Sequence, residues 1–115
     1  MSPSTYEHLH HILEETGYLM RRVEGLKQDE FISDETLRRA FVRSLEIIGE
    51  AAKKVPPEIR ESYKQIEWKA AAGMRDKLIH AYFGVDYDLV WDVITMKVPV
   101  LHREVTKILM DKGQL

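Results

Sequence analysis

The 115-residue chain contains no cysteine. Disulfides, thiolate zinc sites and thiol nucleophiles are thereby excluded, and the absence fits a reducing cytoplasm, the expected location. Prolines and glycines are few, four and six, as expected when most residues lie in long helices rather than in many turns. No apolar run approaches the ~20 residues that a membrane-spanning helix needs, so no membrane association is expected. The opening Met1-Ser-Pro-Ser-Thr-Tyr-Glu-His lacks the basic flank and apolar stretch of a secretory signal, and none is expected. A dominant sign of charge is missing as well: 17 Lys and Arg against 19 Asp and Glu give a formal net charge of −2. A chain this close to neutral lacks the field that drives general nucleic-acid binding, so any nucleic-acid contact must be local. What remains, 44% hydrophobic and 31% charged, is the composition of a globular protein, and the length suits one domain over residues 1–115.

Hydrophobic residues recur at helical spacing along almost the whole sequence. Ser4 to Lys27 reads as a first helix, with a capping-box pattern at Ser4 and Glu7 and an apolar stripe from Leu9 to Val23. A polar loop follows. Ser33 is the expected N-cap of a second helix running to about Lys54, with Leu37, Phe41, Leu45, Ile48 and Ala52 on its buried side. Pro56-Pro57 stops that helix, and Pro57 suits the first turn of a short third one through about Tyr63. Trp68 to Phe83 reads as a fourth helix, closed by Gly84. Asp86 or Asp88 caps a fifth, which Pro99 should kink or split. No window alternates as a half-buried strand does. The expected fold is an all-α, up-down bundle of four to five helices.

The fourth helix carries the chemistry, in Arg75-Asp-Lys-Leu-Ile-His80-Ala-Tyr82. A guanidinium that stays charged can hold phosphate oxygens in a fork. An imidazole can move a proton near neutral pH. Together they suit phosphodiester chemistry. The same residues also fit a structural helix on which Arg75 pairs with a surface carboxylate, His80 sits near the helix end and Tyr82 is half-buried. On a straight helix, positions 75 and 80 point roughly 140° apart. Convergence would then require a loose helix end near Gly84, or two copies of the chain that share a site. Glu50, set in an apolar stretch of the second helix, is either a partner for Arg75 or a solvated carboxylate.

Three segments together resemble the HepT branch of the HEPN proteins. They are Ile48-Gly-Glu50-Ala-Ala-Lys, the run from Ile66 through Trp68, Gly73, Arg75, His80 and Tyr82 to Asp86, and Val90-Trp91 with Pro99. Phe31, Asp34 and Ala40-Phe41-Val-Arg43 extend the likeness over nearly the whole chain. The resemblance implies a HEPN-like fold and a metal-independent endoribonuclease with no cofactor, the toxin of a type VII-like toxin–antitoxin pair. Arg75 and His80 match the family's catalytic pair in its Arg-x4-His-x-Tyr motif. HEPN proteins form homodimers with these motifs facing a shared cleft, where RNA is the substrate. The partner is a minimal nucleotidyltransferase antitoxin, and Tyr82 matches the tyrosine it modifies with AMP. One departure stands beside the motif arginine: Asp76 occupies a position that is commonly Asn, which adds a negative charge next to the phosphate site. A non-catalytic helical module that binds the nucleotidyltransferase, a nucleotide or both is the alternative, and a purely structural dimeric bundle a third.

Other polar clusters read more simply as solvated helix faces. His8, His11 and Glu15 share one face, but no His-Glu-x-x-His pattern or distant ligand set supports a metal site. His102 reads as a surface or interface residue. The basic groups Arg21-Arg22, Arg38-Arg39 with Arg43, and Lys53-Lys54 suit amphipathic helices. Trp68 and Trp91 read as core anchors rather than base-stacking platforms.

Overall fold

A computed structural model describes residues 3–80 and 84–115. A short 3-10 turn over Pro3–Tyr6 leads into helix α1, Glu7–Val23. Tyr6 occupies the N-cap position of α1, so the Ser4–Glu7 pattern falls on the preceding turn. Gly25 then takes a φ of 76°, a left-handed conformation that favours glycine. The segment expected to be a polar loop contains a helix of its own, α2, Gln28–Ser33, whose start is held by Glu30 accepting from the Lys27 backbone N–H at 2.8 Å.

Helix α3, Glu35–Lys54, is capped by Asp34 rather than by Ser33. The Asp34 carboxylate accepts from the Leu37 N–H at 3.1 Å, whereas the Ser33 hydroxyl donates to the Glu30 carbonyl in the last turn of α2. Two adjacent residues could each have served as the cap. The presence of α2 decides between them. Helix α4, Pro57–Ser62, starts on Pro57 as expected.

The largest departure from expectation follows. The helical run that begins at Trp68 is two short helices, α5 over Trp68–Ala72 and α6 over Met74–Leu78, joined at Gly73. It ends at Leu78, not at Phe83. Ile79–His80 form a two-residue strand, β1, antiparallel to β2, Gly84–Val85, with Ile79 opposite Val85 and His80 opposite Gly84. The Leu78 carbonyl accepts from the Asp86 N–H at 2.9 Å, a bond that a continuing helix could not make. β-Branched Ile79 and Val85 face each other across the ladder, where such side chains pack well, and both rest against the core. Gly84 does adopt a positive φ of 79°, but within the hairpin rather than at a helix terminus.

Asp86, one of the two expected caps, starts α7, Tyr87–Asp92, by accepting from the Leu89 N–H at 3.0 Å. A π-helical turn over Val93–Lys97 separates α7 from α8, Val98–Asp111. Pro99 lies in the first turn of α8 and has no N–H to give to the preceding turn. The wider turn, in which the Val98 N–H reaches the Val93 carbonyl, is how the chain passes this point without ending the helix.

The fold is all-α apart from the small hairpin. Helix α1 packs against both α3 and α8, and α3 also carries α5 and α6. The core runs through Leu9, Ile12 and Leu19 of α1, Phe41, Leu45 and Ile48 of α3, and Val105, Ile108 and Leu109 of α8, all almost fully buried. Where α2, α3 and α7 meet, Phe31 stacks on Phe41 at 5.1 Å and on Trp91 at 5.6 Å. Trp68 is buried, its indole N–H donating to the Tyr63 carbonyl at 3.1 Å. Both tryptophans thus pack on or within the core.

Candidate active site

Arg75 lies in the first turn of α6. What places α6 is the crossing of α5 over α3. A Cβ on Gly49 would lie 3.3 Å from the Ala71 carbonyl oxygen and 3.6 Å from that of Ala72, so α5 is seated on the bare backbone at 49, and a side chain there would need the Ala71 carbonyl to give by a few tenths of an ångström. One turn before Gly49 on the same face of α3 stands Glu46. Its carboxylate accepts from Arg75 Nε at 2.9 Å.

The carboxylate joined to Arg75 is therefore Glu46, not Glu50. Glu50 lies one turn farther along α3, is 62% exposed, and pairs with Lys53 at 3.6 Å. Its apolar sequence neighbours suggested burial, but they lie on other faces of the helix. No sequence pattern singled out Glu46. The available signal was Gly49, whose close approach marks where α5 meets α3 and hence which turn of α3 faces Arg75.

His80 follows in β1, its backbone paired with that of Gly84. The 140° separation expected on a continuous helix does not apply, because helix geometry ends two residues before His80. The motif arginine stands on a helix and the motif histidine on the hairpin that directly follows. Asp76 is exposed beside Arg75. Tyr82 lies outside the described residues.

Electrostatically the site is open. Arg75 is 60% exposed at its side chain, and Glu46 26%. Surface hollows of about 620 Å3 and 410 Å3 lie elsewhere, the first around Arg60, Lys64, Trp68 and Lys69, the second around Glu15, Tyr18, Arg21 and Arg43; Arg75 lines neither. Among the described residues no group of three or more His, Asp or Glu is gathered to hold a metal ion. The rings of His8 and His11 meet edge to face at 5.8 Å. His102, expected near a surface or interface, is half-buried between α8 and α1, its Nδ1 2.8 Å from the Thr16 hydroxyl. That hydroxyl is fully buried and donates to the Ile12 carbonyl at 2.7 Å, with the Leu13 carbonyl at 3.1 Å, so the contact ties α8 to the interior of α1. No described helix is long and apolar enough to cross a membrane.

The chain belongs to the HepT-like ribonuclease family, described as Ribonuclease HepT-like, whose match covers residues 12–108. The helical architecture accords with a HEPN-like domain. Among relatives, "Putative RNase TTE0752" of Caldanaerobacter subterraneus subsp. tengcongensis is 52% identical over 102 residues, 89% of this chain and 91% of that protein. "Putative RNase MJ1216" of Methanocaldococcus jannaschii is 46% identical over 103 residues, covering 90% and 85% of the two chains. "Probable ribonuclease HepT" of Thermococcus cleftensis is 41% identical over 80 residues, 70% of this chain and 73% of that protein. No solved structure matches the chain.

Proposed function

We propose that the protein is a metal-independent endoribonuclease, the toxin of a type VII-like toxin–antitoxin pair, with Arg75 and His80 as its catalytic residues. The observation that carries this reading is the family match over residues 12–108, which encloses an intact Arg75-x4-His80-x-Tyr82 sequence. The exposed guanidinium supports it.

In metal-free RNA cleavage the ribose 2′-hydroxyl attacks the adjacent phosphorus, and the 5′-oxygen of the next nucleotide leaves. The reaction needs a proton acceptor, a proton donor and stabilisation of charge on the phosphoryl oxygens. Arg75 takes the last task, its guanidinium facing charge that grows in the transition state. His80 moves a proton, and its twin in a homodimer takes the complementary role. The products are a 2′,3′-cyclic phosphate and a 5′-hydroxyl end.

Tyr82 is the control point. Transfer of AMP to its hydroxyl by a minimal nucleotidyltransferase adds bulk and negative charge two residues from His80 and repels RNA phosphates. The test is direct: His80→Ala should abolish RNA cleavage while the circular dichroism and thermal unfolding of the helical fold stay unchanged. Full activity in that variant would refute the assignment, and inactivity of the wild-type chain on RNA alongside tight binding to a nucleotidyltransferase would favour the non-catalytic module.

A further inference from the structure

Five ion pairs are formed among the described residues, and four of them join neighbours within one helix: Arg39 with Glu35, Lys53 with Glu50, and Arg103 and Lys107 with Glu104. Only Arg75–Glu46 ties two separate elements, α6 to α3. Its asymmetry is informative. The carboxylate is the more buried member and the guanidinium the more exposed, so Glu46 is the anchor and Arg75 the group being held.

The mode of contact matters more than its strength. Arg39 donates to Glu35 from Nε at 3.2 Å and also brings a terminal nitrogen to within 3.0 Å of the same oxygen. Arg75 gives Glu46 only Nε. Its two terminal nitrogens have no hydrogen-bond partner among the described residues, so four N–H donors remain in one rigid plane. An exposed pair of this kind adds little to stability. What it does accomplish is to remove the swing of a long side chain about its last torsions while leaving the end-on fork free for two oxygens of one phosphate.

We propose that Glu46 is a positioning residue for Arg75: it fixes the guanidinium through Nε so that the terminal nitrogens meet the scissile phosphate end-on. The inference rests on the assignment of Arg75 to phosphate stabilisation. Glu46 does not touch substrate. Gly49, one turn later, lies against the Ala71 and Ala72 carbonyls of the helix that leads into α6.

The experiment compares wild type, Glu46→Ala, Glu46→Gln and Arg75→Ala by single-turnover RNA cleavage and by the Arg75 Nε–H signal in 15N NMR. Glu46→Ala should lower the cleavage rate about 10- to 100-fold, as misplacement of a catalytic group by ~1 Å does, with KM changed less than twofold. Glu46→Gln keeps an acceptor for Nε and should recover much of the rate. In an Arg75→Ala background, Glu46→Ala should cost nothing further. The Arg75 Nε–H signal should be sharp and slow to exchange in wild type and broadened in Glu46→Ala. An active wild type with an equally active Glu46→Ala overturns the proposal while leaving the ribonuclease reading intact, and a rise in activity would mean that Glu46 restrains Arg75 rather than aims it. If wild type cleaves no RNA, the ribonuclease reading fails separately; a wild-type Arg75 signal already as broad as that of Glu46→Ala then overturns the positioning contact as well.

Discussion

Gly17→Ala and Gly49→Ala make the same change inside two long helices, and the structure predicts opposite signs. Alanine in place of glycine in a helix interior is favourable by about 1 kcal/mol at either position. A Cβ at Gly17 meets Arg21 NH1 at 3.2 Å and His102 Cε1 at 3.6 Å. The tighter of these is the far end of a flexible side chain that can swing into solvent, so Gly17→Ala should stabilise by up to about 1 kcal/mol. At Gly49 the obstacle is the Ala71 carbonyl at 3.3 Å, backbone at the end of a helix that cannot move alone. Overpacking of this kind costs about 1–3 kcal/mol, which outweighs or cancels the helix gain and leaves a net loss of about 0–2 kcal/mol. Urea unfolding followed by circular dichroism should therefore separate the two variants by about 1–3 kcal/mol, with unchanged slopes. Function should separate them too. A shift of α5 and α6 away from α3 stretches the Glu46–Arg75 contact, so Gly49→Ala should lose RNA cleavage under conditions where it is still folded, and Gly17→Ala should not. Equal stabilisation of both variants would refute the claim that α5 is seated on the bare backbone of Gly49.

Further expectations follow from other contacts. Thr16→Val removes the hydroxyl that faces His102 Nδ1 in a half-buried setting and should cost about 1–3 kcal/mol in urea unfolding, whereas Thr16→Ser should cost distinctly less because it keeps the bond; equal losses would deny the bond its role. Phe31→Ala empties the centre of the Phe41–Phe31–Trp91 stack and should cost about 3–5 kcal/mol by the same assay. Burial, then the hydrogen bond to Asp111, holds the Tyr63 phenol above its ordinary value of 10.0. The fold thus favours its neutral form. That contribution is intact below pH 10 and fades as pH rises past it through the raised folded value, so Tyr63→Phe should flatten the alkaline fall in melting temperature. Mixing Arg75→Ala with His80→Ala chains leaves each mixed dimer with a single His80, so a cleft in which both imidazoles act should show no recovery of cleavage; recovery to about a quarter of wild type would mean that each site needs only one arginine and one histidine, drawn from different copies.

How much of this was legible in the sequence depended on how local the deciding forces were. The stripe of α3 from Phe41 to Ala52, the start of α4 at Pro57, the cap at Asp86 and the interruption at Pro99 are each fixed by residues within a turn or two, and each was readable. The end of α6 was not. Leu-Ile-His-Ala-Tyr-Phe is a helix-compatible string, and a ladder of two residues on each side is too short to show alternation. The helix stops because the Leu78 carbonyl binds the Asp86 N–H, a bond between residues whose proximity the sequence does not announce. The choice of Glu46 over Glu50 is of the same kind. Both project toward neighbouring turns of one helix face, and only the crossing of α5 at Gly49 says which turn Arg75 meets. That Arg75 stands on a helix and His80 on the strand that follows it was not readable in advance.

The most direct measurement is end-group analysis of RNA incubated with the purified protein in excess EDTA. The account predicts fragments ending in 2′,3′-cyclic phosphate and starting with 5′-hydroxyl, produced by wild type and absent with Arg75→Ala and His80→Ala. Cleavage that persists in both variants, or fragments carrying 5′-phosphate ends, would contradict it.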